Sequence, residues 1–189
     1  MSFRKDMLRY ATLVILAVTF IAGLSVIIIT AEIKYDGECM VLADVEWKSS
    51  EGSSVNIYVL NTSSASCSFI MGYQGVAVAV CLVFFIYFIL LLRKVVVYPR
   101  VLPWFALLCI IAALFSLICA TVLHIGLRKL CNGFLERYEG YTCEAFESDY
   151  YDRKGFTGLF KGAQVTSWIS CVSWAVMAII LFVQVKYSG

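Results

Sequence analysis

Charge is scarce in this chain. Of its 189 residues only 15% are Asp, Glu, Lys or Arg, against 61% that are hydrophobic, and the mean hydropathy is +0.86. Soluble domains carry about 25% charged and 45–50% apolar residues. An ordinary soluble domain is therefore excluded, and so is a disordered chain. The formal net charge of +2 is too small for a nucleic-acid binder. Histidine is scarcer still, with His124 the only one. No glycine-rich phosphate loop, no Cys–His pair with a third orienting group and no HExxH zinc helix occurs. Internal repeats and low-complexity tracts are absent too. The sequence assigns no catalytic residue, no cofactor and no metal site.

The missing charge is concentrated. Tyr10–Ala31, Gly52–Leu92, Val101–Leu127 and Gly162–Val185 contain no Asp, Glu, Lys or Arg. Crossing roughly 30 Å of hydrocarbon takes about 20 helical residues. The second stretch opens with a polar run and turns apolar only at Phe69. The expected architecture is an all-α membrane protein, one four-helix transmembrane bundle over 1–189, with spans near 10–31, 70–92, 101–126 and 164–186. Arg4, Lys5 and Arg9 precede the first apolar run, as in a secretory signal. That run is too long for a signal core and ends in a poor cleavage site, Ile29-Thr30-Ala31. An uncleaved signal anchor is expected.

Orientation follows from positive charge in the short segments. With both termini on the cytoplasmic side, the inner segments hold Arg4, Lys5, Arg9, Arg93, Lys94, Arg100 and Lys186 against Asp6 alone, a net of +6. The outer loops, 32–69 and 128–161, hold the other eight basic and twelve acidic residues, a net of −4. Both termini are expected in the cytoplasm.

Each outer loop contains two cysteines, Cys39 with Cys67 and Cys131 with Cys143. Loops that mature in the secretory lumen form disulfides. Four cysteines permit three pairings, and sequence does not choose among them. Pairing within each loop is favoured, because the helices already hold the loop ends close, at about 3 kcal/mol per loop in chain-entropy terms. A metal site is disfavoured, since neither loop contains His. Cys81, Cys109, Cys119 and Cys171 fall inside spans and read as small packing residues, with acylation of Cys109 as an alternative. Asn61-Thr62-Ser63 is an N-glycosylation sequon on the side assigned to the lumen, which favours a glycan at Asn61, while its place about ten residues from the membrane hampers transfer.

Met40–Trp47 and Ser54–Leu60 alternate apolar and polar residues, which predicts a small β-hairpin over the helix ends. The second loop is rich in Tyr138, Tyr141, Phe146, Tyr150 and Tyr151, expected to pack at the interface rather than form a binding surface. His124, near the outer end of its span, reads as a hydrogen-bonded packing residue. Gln74, Gln164 and Gln184 read as span-end residues met by water or headgroups. Small residues recur at helical spacing: Gly75 and Ala79, then Ala112, Ser116 and Ala120, then Ser167, Cys171 and Ala175. Such stripes let helices approach closely in lipid, inside one bundle or against another protein.

Several cysteine-anchored segments carry a likeness to a known family. Asp36-Gly37-Glu38-Cys39, Ser66-Cys67-Ser68-Phe69, the run Cys119–Asn132 and Thr142-Cys143-Glu144 resemble the transmembrane protein 179B family, and Gln164–Trp174 resembles its last span. The resemblance covers nearly the whole chain. It implies a four-pass protein of plasma or secretory-granule membranes with no established biochemical activity, and it carries over no functional residues. Members of that family continue past the last span, whereas this sequence stops at Gly189. Claudin-like proteins fit less well, because their Trp-Gly-Leu-Trp element followed by two cysteines is missing: Trp47 stands alone and Cys39 precedes it. Tetraspanins and connexin-type proteins are set aside on their own cysteine patterns.

The leading expectation is a non-enzymatic adaptor, accessory subunit or trafficking partner that lies in the bilayer and contacts other membrane proteins. A pore-forming oligomer stands second. A lipid-modifying enzyme stands third, with only His124 and loop carboxylates to start from.

Overall fold

The computed structural model describes residues 2–35, 38–39, 41–42, 44–49, 55–60, 64–93, 101–135, 142–143 and 155–188. Four long helices dominate it: α1 (Ser2–Ile33), α2 (Ser64–Leu92), α3 (Leu102–Leu135) and α4 (Phe156–Ser188). Each contains a stretch long and apolar enough to cross a membrane. In hydrocarbon a helix is the one local structure that satisfies its own backbone. Side-chain hydroxyls follow the same rule. Thr12, Thr19, Ser25 and Thr121 each donate to the carbonyl four residues earlier, at 2.7–2.9 Å.

The helices outrun the charge-free stretches. With 29 to 34 residues they are about 44–51 Å long, beyond the roughly 30 Å of hydrocarbon. The second outer loop was expected to begin at Arg128, yet α3 continues to Leu135 and α4 starts at Phe156. The reason is packing. Leu123, Leu127 and Leu130 keep the helical spacing through Arg128 and Lys129, and all three are buried, in one cluster with Phe160 of α4. Pro103 sits in the first turn of α3, where a missing N–H costs nothing. Gly155, at φ 93°, turns the chain into α4, a backbone conformation that suits glycine.

The helices alternate in direction, so both chain ends lie at one end of the bundle, the termini end, and the loops bearing the disulfides at the other, the loop end. α1 packs along α2 and α4, and α4 packs along α3, whereas α2 and α3 barely approach each other. The result is a four-sided bundle with one open side. Its termini half is filled by Leu16, Phe84, Phe88, Trp174, Met177 and Leu181. Its loop half is filled by Val26, Ile33, Ile70, Leu123, Phe160 and, from the first loop, Cys39 and Val41.

The first loop therefore begins inside the bundle. β1 (Lys34–Tyr35) runs on from α1 and pairs antiparallel with β2 (Glu38–Cys39). β3 (Asp44–Ser49) and β4 (Val55–Leu60) pair antiparallel, from Asp44 opposite Leu60 to Ser49 opposite Val55. The first strand starts later than the alternation at Met40 suggests, because Val41 and Leu42 form a turn. That turn rests on α3. A Cβ added at Gly126 would come within 3.1 Å of the Leu42 amide nitrogen and 3.4 Å of Val41 Cγ1. Leu42 itself takes φ 65°, a left-handed conformation that costs a non-glycine residue about 1–2 kcal/mol.

The seat at Gly126 yields a contrast between two glycines. Gly126→Val should lose about 1–3 kcal/mol by overpacking and speed proteolysis within the first loop. Gly72→Ala, whose added Cβ meets nothing within 4 Å, should be neutral or gain about 0.5–1 kcal/mol from helix propensity. Thermal unfolding in detergent, read beside limited proteolysis, distinguishes the two; equal effects would remove the seat from the account.

Candidate interaction surfaces

Two disulfides build the loop end. Cys39–Cys67 ties β2 to the first turn of α2, with Cα atoms 5.9 Å apart, and Cys131–Cys143 ties the last turn of α3 to the following segment, at 5.4 Å. Each bond closes one loop on itself. Cys39 and Cys67 are fully buried, so the first bond is part of the core. The other four thiols are free: Cys81, Cys109 and Cys119 are buried, and Cys171 is half-buried. Cys109 is fully buried, as a packing residue is. Cys171 donates its S–H to the Ala113 carbonyl at 3.5 Å, linking α4 to α3. Among the described residues no group of His, Cys, Asp and Glu is placed to hold a metal.

The three glutamines do not behave as span-end residues. Gln184 is buried, and its Nε2 donates to Thr12 Oγ1 at 3.1 Å, joining α4 to α1. Gln164 Nε2 lies 2.8 Å from His124 Nδ1. This hydrogen bond joins α4 to α3. Gln74 is fully buried, and neither its amide oxygen nor its nitrogen has a partner. Its neighbour on α1 is Gly23, whose added Cβ would lie 3.5 Å from Gln74 Oε1. Gln74 was misplaced because it stands only six residues beyond the polar run that opens α2, and helix geometry then turns it inward.

Gln74 is one of several buried polar groups inside the bundle. Beside it, the Tyr73 hydroxyl reaches α3, 2.5 Å from the Ala112 carbonyl and 2.8 Å from Ser116 Oγ. A carbonyl only accepts, so Tyr73 donates to Ala112 and Ser116 donates to Tyr73. On α4, Ser167, Ser170 and Trp174 share one buried face, and their Oγ, Oγ and Nε1 atoms lack partners, as does Thr30 Oγ1 on α1. Leaving such a group unpaired costs about 1–3 kcal/mol. All of these groups are neutral, and together they offer hydrogen-bonding capacity rather than an acid, a base or an activated nucleophile.

The open side of the bundle forms a cleft of about 430 Å³ between α2 and α3, walled by Gly72, Val76 and Ala77 on one side and Leu108 and Ile111 on the other, with Trp174 at its floor. Aromatic rings bridge it: Tyr73 stacks on Phe115 at 5.6 Å and Phe84 on Phe105 at 4.2 Å. The small-residue stripes divide between inside and outside. Ser116, Ala120 and Ser167 are buried, and Ala112 and Cys171 are half-buried. Gly75, Ala79 and Ala175 are exposed, so these three do not pack the bundle's own core. Asn61 and the aromatic cluster Tyr138, Tyr141, Phe146, Tyr150 and Tyr151 lie outside the described residues.

Tyr73 and Gln74 should show opposite effects one residue apart. Tyr73→Phe removes the α2–α3 hydrogen bond and strands Ser116, which should cost about 1–3 kcal/mol. Gln74→Leu removes an unpaired amide, which should leave stability unchanged or raise it by a similar amount. Equilibrium unfolding in detergent measures both, and destabilisation by Gln74→Leu would mean that the amide is paired.

Gly126, missed as a contact residue, was legible only as an isolated glycine within a helical pattern, a mark of close approach. It lies inside the Cys119–Asn132 run that carries the family likeness. Comparison with known proteins bears on the same region. No curated protein and no solved structure gives a significant match. Residues 8–189 match the family described as Transmembrane protein 179/179B Claudin domain. The absence of the Trp-Gly-Leu-Trp element therefore does not separate this chain from claudin-type domains, because the matching family is itself described as one. Four apolar helices, two loop-end disulfides and a match over nearly the full length lead to one conclusion: the chain belongs to the transmembrane protein 179/179B claudin-domain family.

Proposed function

We propose that this protein works by contact, as a non-enzymatic adaptor, accessory subunit or trafficking partner of other membrane proteins, in the plasma membrane or the secretory-granule membrane. Both termini face the cytoplasm, the disulfide-bearing loops face outward, and Asn61 carries a glycan. The observation behind the reading is the way the first loop is mounted. Its hairpin, β3–β4, rises from a base held by Cys39–Cys67 and by the Gly126 seat, so a fixed scaffold presents it. Loops on rigid scaffolds are where binding function concentrates.

A second feature supports contact within the membrane. Gly75 and Ala79 are exposed on α2, where small residues allow another helix close approach. Charge-free spans weigh against ion conduction by one subunit, because an ion in hydrocarbon needs compensating charge or dipole. The alternatives, a pore-forming oligomer and a lipid-modifying enzyme, make different demands and are separable by assay.

The test places a photo-crosslinking residue at Gly75, Ala79 or a hairpin position of a chain tagged after Gly189, in cells, with fully buried Ala106 as the control site. A discrete membrane-protein adduct from an outward position and none from Ala106 is expected. The tag should stain only after permeabilisation. Adducts with lipid alone at every position would contradict the contact reading, and staining of intact cells would contradict the orientation. The purified chain in liposomes should show neither ion flux nor phospholipid turnover. Flux would favour the pore, and turnover lost in His124→Ala the enzyme.

A further inference from the structure

The cleft between α2 and α3 is held open by the chain itself. Toward the termini end Phe84 stacks on Phe105 at 4.2 Å, and Tyr87 meets the same ring edge-on at 4.9 Å. Toward the loop end Phe69 and Tyr73 meet Phe115 at 6.5 and 5.6 Å. These ring pairs are struts between the two helices, so the space they frame does not collapse. Small side chains preserve it. Gly72, Ala77 and Ala112 line the cleft, and a Cβ added at Gly72 would meet nothing within 4 Å. From Ser68 to Val80 the α2 wall rises about 18 Å, along the loop half of the span Ala65–Leu92. That is close to the depth of one leaflet, about half of the roughly 30 Å of hydrocarbon.

A cleft at this depth opens on lipid, and its form selects among the possible occupants. The ring pairs cross it at both levels, which leaves no groove as long as a membrane-spanning helix. None of its lining residues is charged, so a phosphate headgroup finds no counter-charge there. An acyl chain gains nothing from burial, because lipid tails are as apolar as the walls, and it loses rotamer freedom on being held. A rigid, flat ring system has little such freedom to lose, and its gain is fit to a fixed shape. The walls suit one. The stacked rings of Tyr73 and Phe115, 26° apart in plane, present a broad face, and the β-branched Val76, Val80 and Ile111 continue it. Ser68, exposed at the loop-end mouth, supplies a hydroxyl at headgroup level. We propose that the cleft binds one sterol, its ring system between α2 and α3 and its hydroxyl at Ser68. The space of about 430 Å³ falls within the range of small-molecule sites, about 300–1,000 Å³.

Photolabelling of the purified chain in phosphatidylcholine nanodiscs with a diazirine-bearing sterol tests it, with adducts mapped by mass spectrometry. Labelling should saturate, fall on residues 68–80 and 108–115, and be competed by cholesterol but not by oleate. Gly72→Leu projects a side chain into the cleft from a position whose Cβ meets no protein atom within 4 Å. It should weaken sterol binding about tenfold or more and leave thermal unfolding without sterol unchanged. Val76→Trp, at an exposed position of the same wall, should do likewise. Gly75→Leu, equally free of neighbours but outside the cleft lining, should label as the unmodified chain does. Labelling that fails to saturate, maps elsewhere or is undiminished in Gly72→Leu and Val76→Trp would overturn the proposal. So would equal competition by oleate, which puts an acyl chain in the cleft. Labelling that falls as chain density rises at fixed sterol fraction would overturn it too, in favour of a second copy.

Discussion

The bilayer interior offers neither donor nor acceptor, so a chain that crosses it must close every backbone hydrogen bond within itself. Here that constraint is met four times by helices of 29 to 34 residues. It also governs the side chains, as threonine hydroxyls fold back onto their own helices and Gln184 pairs with Thr12. Because lipid is as apolar as leucine, the helices gain little from hydrophobicity when they associate. They are held instead by shape, by a few interhelical hydrogen bonds and, at the loop end, by covalent bonds.

That last contribution makes the outer segments part of the bundle. Cys39 and Val41 fill the same buried cluster as Val26, Leu123 and Phe160, and Gly126 leaves room for the loop backbone to rest on α3. The loop end is accordingly better closed than the flank, where α2 and α3 stay apart around an apolar cleft bridged by aromatic rings. The helices also carry polar groups where hydrocarbon surrounds the bundle, and Gln74, Ser167 and Ser170 remain unpaired there. The least settled packing thus lies in the middle of the bundle, at the level where α2 bonds across to α3 through Tyr73.

The gaps in charge made the four spans legible, and two cysteines per loop, with the loop ends held close by the helices, made the staples and the favoured within-loop pairing legible. Helix ends were not legible from charge, because Arg128 and Lys129 sit on the exposed side of a helix whose buried side continues through Leu127 and Leu130. Gln74 misled for the opposite reason: proximity to a polar run suggested water, while its position around the helix turned it inward. The stripes were visible as spacing, yet spacing does not tell inside from outside in lipid, where both faces are apolar. Ser116 and Ala120 turned in, whereas Gly75 and Ala79 turned out. Claudin-like proteins fitted less well on a tryptophan element and a cysteine order that are local marks, yet the family that matches over residues 8–189 is itself described as a claudin domain.

The central claim is that each outer loop is stapled to its own helix end, which fixes the loop end as a scaffold. Digestion of the unreduced protein, with free thiols blocked and peptides identified by mass spectrometry, tests it most directly. The account predicts two linked peptides, one joining Cys39 to Cys67 and the other Cys131 to Cys143. A peptide joining Cys39 to Cys131, or Cys67 to Cys143, would tie the two loops to each other and contradict it, as would four blocked, unlinked thiols.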